Sequence, residues 1–284
     1  MQGRIVSVIC GKYNVLVNGK IISCTPRGVF RHKNMKLIVG DYVEIEENTI
    51  TNIFERKNSL FRPNISNVDL GIIVMSYKNP DFSSLLLEKF ITLLNMNDIK
   101  PLVILTKIDL SEDREDINKV VEMYKKISIQ VIPYSKRTKE GLDEVKNAIK
   151  GKIIAFMGQT GVGKSSLINL IDENFSREIG EYSEALGRGK HKTKEVVLLP
   201  YDGGFIADTP GFSSLELPLF KEELAEYYPG AFTRLAKCKF TNCLHINEKD
   251  CEVKKAINEG IIAKETYDNY LNVLNELIFR KDRF

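Results

Sequence analysis

The 284-residue chain has no uninterrupted apolar run near the roughly 18 residues that cross a bilayer. That excludes an ordinary membrane-spanning helix and sets the expectation of no membrane partner. Met1-Gln2-Gly3-Arg4 leads into a short strand-like segment instead of the apolar core of a signal peptide, so a cytoplasmic protein is expected. Cysteine is scarce and odd in number. Of the five, Cys10 and Cys24 lie far from Cys238, Cys243 and Cys251, which speaks against a disulfide framework and for metal binding or buried thiols. There is no fixed-period repeat and no low-complexity tract, which removes the solenoid readings.

Enough apolar residue is present, 43% against 28% charged, for a folded core, and the length exceeds the about 100 to 200 residues of a typical single domain. Two or three domains are expected. The net charge of +3 is uneven: residues 1–66 hold ten Lys and Arg against five Asp and Glu, which leaves −2 for the remainder. A basic N-terminal region suggests an anionic partner, nucleic acid first, although charge alone fits a solubilising face equally well.

Five short β-rich runs fall within the first 60 residues: Arg4 to Ile9, Tyr13 to Val17, Lys20 to Cys24, Asp41 to Ile45 and Ile50 to Phe54. Asn18-Gly19 between two of them is a hairpin signal, and five short strands suggest a small closed, OB-like barrel. The segment from Thr25 to Lys36 would be one of its loops. There Arg27, Arg31, Lys33 and Lys36 stand beside Phe30 and His32, a mixture suited to phosphate contact and base stacking. From Asn67 to Ser213 strand-like runs alternate with amphipathic stretches, which predicts a mostly parallel sheet flanked by helices, with ligands at the carboxyl ends of its strands. Beyond Leu215 the composition is mainly helical.

Gly158-Gln159-Thr160-Gly161-Val162-Gly163-Lys164-Ser165 matches GxxxxGK[ST] between an apolar strand and a helix that opens Ser165-Ser166. Backbone N–H groups of such a loop converge on phosphate oxygens, Lys164 neutralises the β and γ phosphates, and Ser165 ligates Mg²⁺. The bland alternative is a glycine-rich turn, and the motif does not choose between ATP and GTP. Asp208-Thr209-Pro210-Gly211 follows another apolar strand; Asp208 is placed to hold Mg²⁺ through water and the Gly211 N–H to meet the γ-phosphate. Thr106-Lys107-Ile108-Asp109 ends a further strand, where a carboxylate accepts from both N1–H and the exocyclic amine of guanine, a donor pair that adenine lacks. Asp109 would otherwise be a helix cap. Ser135 and Lys136, ending the next strand, offer a second contact to the base.

Cys238, Cys243, His245 and Cys251 are the third signal. Three of five cysteines and one of three histidines within 14 residues supply three thiolates and an imidazole, the donor set of one structural zinc. Three buried thiols beside a chance histidine is the alternative.

The guanine motif precedes the phosphate loop, the reverse of the usual GTPase order, so the chain resembles the circularly permuted GTPase family of small ribosomal subunit biogenesis, the RsgA, YjeQ and YloQ proteins. Thr106 stands where GTPases most often have Asn, and Lys192 interrupts what is often a His-Thr-Thr run. The resemblance implies an OB-like RNA-binding barrel over residues 1–62, a permuted GTPase domain over 63–214 and a zinc-binding helical module over 215–284. It further implies that Gly187 to Thr193 forms a switch, with Thr193 on Mg²⁺ and the γ-phosphate and His191 orienting water where Phe212 cannot. GTP and GDP, the small ribosomal subunit and its rRNA are the implied partners. Nothing in the sequence demands a dimer, so a monomer is expected. A nucleic-acid-binding module with an inert nucleotide site, or a P-loop ATPase or kinase, remain as rivals.

Overall fold

The computed structural model describes residues 1–172, 196–208 and 215–279, apart from positions 10, 29, 31–35, 62, 231, 233–236 and 241–242. Chain contacts divide it into two compact units: residues 1–71, 144–157 and 164–211, and residues 72–143, 158–163 and 212–284. Among the described residues no helix is long and apolar enough to cross a membrane.

The first unit is built on β1 (Gln2–Ile9), β2 (Lys12–Val17), β3 (Lys20–Pro26), β4 (Tyr42–Glu46) and β5 (Thr49–Ile53). β1–β2, β2–β3, β4–β5 and β1–β4 pair antiparallel and β3–β5 pair parallel, which closes the five strands into a barrel. The turn between β2 and β3 puts Asn18 at φ 47° and Gly19 at φ 78°, two left-handed residues that match the strands' twist. The core holds Ile5, Val15, Val43, Ile45 and Ile50, all at 0% exposure, together with Phe30. Phe30 is therefore not the exposed stacking surface expected of it. Its apolar ring fills the barrel, while Arg27 and Lys36 stay exposed; Arg31, His32 and Lys33 lie outside the described residues.

The buried carboxylate of Asp41, ion-paired with a partly exposed Arg56, ties the barrel to the next hairpin in the chain through Ser66. Asp41, wholly buried, receives Arg56 in two hydrogen bonds at 2.7 and 2.9 Å, the Ser66 hydroxyl at 2.6 Å and the Ile38 N–H at 2.8 Å. Ser66 belongs to that hairpin, β6 (Ser59–Leu60) and β7 (Ile65–Ser66). On its other edge β1 pairs antiparallel with β12 (Val197–Tyr201), which pairs with β13 (Gly204–Asp208), itself parallel to β11 (Ile153–Met157). The barrel thus shares a continuous sheet with these strands. The Arg4 guanidinium lies over Tyr42 and Phe205 and donates to the Gly40 carbonyl at 2.7 Å. The unit also contains most of α3 (Leu142–Ile149) and all of α4 (Lys164–Ile171).

The second unit carries most of β8 (Leu70–Ser76), then α1 (Ser84–Asn95), β9 (Lys100–Thr106), α2 (Arg114–Lys125) and β10 (Gln130–Pro133). β9 lies between β8 and β10, and β9 and β10 run parallel. Val74, Val103, Ile104 and Leu105 are buried without alternation, as strands covered on both faces require. Its last third holds α5 (Leu224–Tyr227), α6 (Glu252–Asn258) and α7 (Lys264–Phe279) around Tyr228, Phe232 and Tyr270.

Candidate nucleotide site and metal cluster

Residues 158–163 join β11 to α4 as a loop whose shape depends on glycine. Gly158 sits at φ 137°, and a Cβ there would lie 2.3 Å from the Val74 carbonyl oxygen. Only glycine permits that approach. Gly161 and Gly163 are also left-handed, at φ 84° and 98°.

The end of β9 is bonded to this loop. The buried Thr106 hydroxyl lies 2.6 Å from the Val162 carbonyl and 3.2 Å from that of Met75. Lys107, left-handed at φ 58°, donates through Nζ to the Gly161 carbonyl at 2.8 Å and also to that of Asn79. Thr106 therefore directs its one proton to the loop and helps to set the loop's shape. Ile108 begins a 3-10 turn, Ile108–Leu110, that presents Asp109 to solvent.

Asp109 is not the helix cap. Asp113 takes that role, accepting from the Glu115 N–H at 2.8 Å at the start of α2. Asp109 Oδ1 instead accepts from the buried Ser135 hydroxyl at 2.7 Å, and Ser135 Oγ itself accepts from the Thr138 N–H at 3.2 Å. Ser135 orients the carboxylate from behind, a link across 26 residues that spacing does not reveal. Lys136 is exposed beside it. Arg114 forms an ion pair with Glu140 across the same two segments.

On α4, Lys164 is half-buried, and burial lowers its ammonium below the usual range. Ser165 is exposed, and Ser166 follows it half-buried; ahead of the helix, Gln159 is half-buried and Thr160 exposed. Asp208 is the final residue of β13. His191, Thr193 and Gly211 lie outside the described residues, with the rest of the segments 173–195 and 209–214.

The four metal-ligand candidates converge. His245 Nδ1 lies 3.8, 3.3 and 3.2 Å from the sulfurs of Cys238, Cys243 and Cys251, and all four ligand atoms fall within 4.8 Å of one another. Tetrahedral zinc, with Zn–S about 2.3 Å and Zn–N about 2.0 Å, separates S from N by about 3.5 Å, so the cluster can hold one such ion. Its chemistry agrees. Burial, reinforced by the neighbouring Cys251, Glu248 and Cys238, pushes the Cys243 thiol up to about 12. Thiols so crowded ionise when a divalent cation takes them. His245 is left-handed at φ 59°, with its ionisation lowered by burial, and its Nε2 has no hydrogen-bond partner among the described residues.

Glu248 shapes the loop, and nothing in the sequence pattern marks it. Its carboxylate accepts from the N–H groups of Leu244, Ile246 and Asn247 at 2.8, 2.7 and 3.0 Å. Burial alone would raise that carboxyl, but the backbone donors together hold it below its ordinary value. From α7, Tyr267 and Tyr270 donate to the carbonyls of His245 and Leu244 at 2.6 and 3.0 Å.

A glycine loop bonded to a Thr-Lys-x-Asp turn that precedes it in the chain, in a protein that also carries a closed β-barrel and a Cys/His cluster, defines a circularly permuted P-loop GTPase. Comparisons with known proteins narrow the class. A family model described as RsgA GTPase matches residues 53–218, and one described as RsgA N-terminal domain matches residues 2–52. The small ribosomal subunit biogenesis GTPase RsgA of Caldanaerobacter subterraneus subsp. tengcongensis is 43% identical, the alignment covering 100% of this chain and 98% of the relative. That of Bacillus subtilis is 39% identical over 100% and 99%. The crystal structure of YjeQ from Thermotoga maritima matches with a TM-score of 0.83 at 34% identity, covering 99% of both chains. YloQ, described as a circularly permuted GTPase, matches at 0.82 and 36% identity over 100% and 96%. The chain belongs to the RsgA GTPase family and is a GTP hydrolase.

Proposed function

We propose that this protein acts in the late maturation of the small ribosomal subunit, binding the subunit through its rRNA and hydrolysing GTP to GDP and phosphate fastest when bound there. The names of its full-length relatives support the partner. One observation carries the nucleotide assignment: Lys107 and Thr106 hold the carbonyls of Gly161 and Val162, while Ser135 holds Asp109, so a guanine-reading carboxylate is tied to a phosphate loop.

In this reading Asp109 accepts from guanine N1–H and the exocyclic amine, with Ser135 and Lys136 lining the same edge. The backbone of Gly158 to Ser166 cradles the phosphates, and Lys164 neutralises charge that develops on them. The Gly211 N–H meets the γ-phosphate, and His191 orients the attacking water. Ser165 and Thr193, with Asp208, would hold the Mg²⁺ that accompanies the nucleotide, and the ion would supply charge neutralisation. One zinc on Cys238, Cys243, His245 and Cys251 is structural, since four protein ligands leave no open position.

The division of labour assigns residues 1–62 to an RNA-binding barrel, 63–214 to the GTPase domain and 215–284 to the zinc-binding module, in a cytoplasmic monomer. The basic excess of residues 1–66 supports the RNA role. GTP ordering of the loops at 187–193 and 208–212 fixes the module, and hydrolysis releases it. The test is turnover of GTP and of ATP by the purified protein, with and without small subunits. GTP turnover strongly stimulated by subunits is expected. Equal use of ATP would remove Asp109 from the reading, and indifference to subunits would remove the ribosomal role.

A further inference from the structure

Helix α1 buries a polar row where an apolar one is the rule. Ser84, Glu88, Thr92 and Asn95 recur at helical spacing, and the first three are buried. Glu88 is 0% exposed and has no cationic partner among the described residues. Its Oε2 accepts from the Tyr228 hydroxyl at 2.7 Å and its Oε1 from the Tyr124 hydroxyl at 3.3 Å, with Thr266 and Asn269 donating as well. Ser84 donates to Glu265 and accepts from Asn269 at 2.9 Å. Lys89 reaches Glu276 at 2.6 Å, and Asn95 donates to the Tyr227 carbonyl at 2.8 Å.

All of these partners except Tyr124 come from residues 224–279. The row is therefore the polar half of the seat on which the C-terminal module rests, while Leu85, Leu93 and Met96 supply the apolar half. The ionisable groups around Glu88 are Tyr124 from α2, Tyr228 from the segment after α5 and Glu265 from α7. Tyr270 of α7 packs edge-on against Tyr228 with ring centroids 5.2 Å apart.

We propose that Glu88 is a proton-controlled pin: neutral, it seats the C-terminal module on α1, and ionised, it loosens that seat without unfolding the strands of the GTPase core. An uncompensated carboxylate in a site closed to water is costly, and opening the seat is what hydrates it. Burial pushes the Glu88 carboxyl up to about 7 from an ordinary 4.5, against the opposing pull of its four donors. The seated state then binds more protons than the open one across that window. Its advantage falls as pH rises from 4.5 to 7 and is smallest above. Between about pH 6 and about pH 8.5 the ratio of open to seated molecules rises about tenfold.

The test is amide hydrogen exchange of the full chain at those two pH values, corrected for intrinsic chemical rates. Amides of α7 and of residues 224–230 are expected to lose protection about tenfold at the higher pH while those of β9 do not change. Glu88→Gln is expected to abolish the difference. Tyr228→Phe, which removes a donor to the ionised carboxylate, is expected to move the midpoint to higher pH. Protection of α7 that does not vary with pH in the wild type would overturn the proposal. So would an equal loss in β9, or the wild-type response surviving in Glu88→Gln. If that variant does not fold, an unmoved midpoint in Tyr228→Phe has the same force.

Discussion

In the proposed reading, recognition of a base at Asp109 reduces to which atoms of one carboxyl group accept hydrogen bonds. The Ser135 hydroxyl occupies Oδ1 at 2.7 Å and fixes the rotamer. Asp109→Asn replaces one acceptor with an amide donor, which suits the 2-oxo group of xanthine and opposes the exocyclic amine of guanine. GTP kcat/KM is expected to fall by about a hundredfold or more, with XTP turnover recovering much of it. Equal losses for both nucleotides in a steady-state comparison would sink this account. Ser135→Ala removes the hydroxyl but leaves the carboxylate. It is expected to weaken GDP binding by about fivefold, the worth of one hydrogen bond of about 1 kcal/mol, as read by calorimetry. The Thr-Lys-x-Asp spacing made Asp109 legible in the sequence. The bonds of Ser135 to Asp109 and of Thr106 to Val162 were not, because side chains 26 and 56 positions apart meet only after the strands align.

At the scale of elements, the phosphate loop and the cysteine loop are each organised by one feature outside their motifs. Gly158 has no room for a Cβ against the Val74 carbonyl. Gly158→Ala is expected to abolish detectable nucleotide binding in equilibrium titration while leaving the barrel's circular dichroism signature intact. In the cysteine loop, Glu248 and the metal ligands together replace the helix or strand structure that the described residues from 238 to 251 lack. Chelation, or Cys243→Ser, is expected to release about one equivalent of zinc and to expose residues 237–258 to limited proteolysis, while cleavage within β1–β5 does not change. Zinc content unaltered by Cys243→Ser would remove Cys243 from the ligand set. Helices were legible because their apolar residues recur at three and four positions, and the strands of the parallel sheet because they are short continuous apolar runs. Phe30 was misread because an aromatic among cations looks the same whether it faces RNA or fills a core, and only closure of the barrel decides. The parallel β3–β5 pairing that closes the barrel has no local sequence signal.

For the whole molecule, the order of motifs matters more than any one of them. Because the guanine turn precedes the phosphate loop, the chain leaves Asp208 at the end of β13 and passes through residues 209–214 into the module that carries the cysteine cluster. The γ-phosphate contact proposed for Gly211 would therefore act on a linker. If that linker sets the module's grip on the subunit, affinity depends on nucleotide state. Couplings of this kind amount to about 1–3 kcal/mol, so the small subunit is expected to bind about tenfold more tightly with a non-hydrolysable GTP analogue than with GDP, as measured by co-sedimentation. The coupling is reciprocal: the subunit must raise the preference for the analogue over GDP by the same factor, which nucleotide competition on the complex measures independently. Agreement of the two factors, which the thermodynamic cycle requires, checks the measurements, and a factor well above one shows that nucleotide state and subunit binding are coupled. Equal subunit affinity in both states would instead leave the subunit as an activator of hydrolysis only. His191→Ala separates these two roles, because losing the side chain proposed to orient water is expected to abolish subunit-stimulated turnover while leaving the nucleotide-dependent difference in binding unchanged.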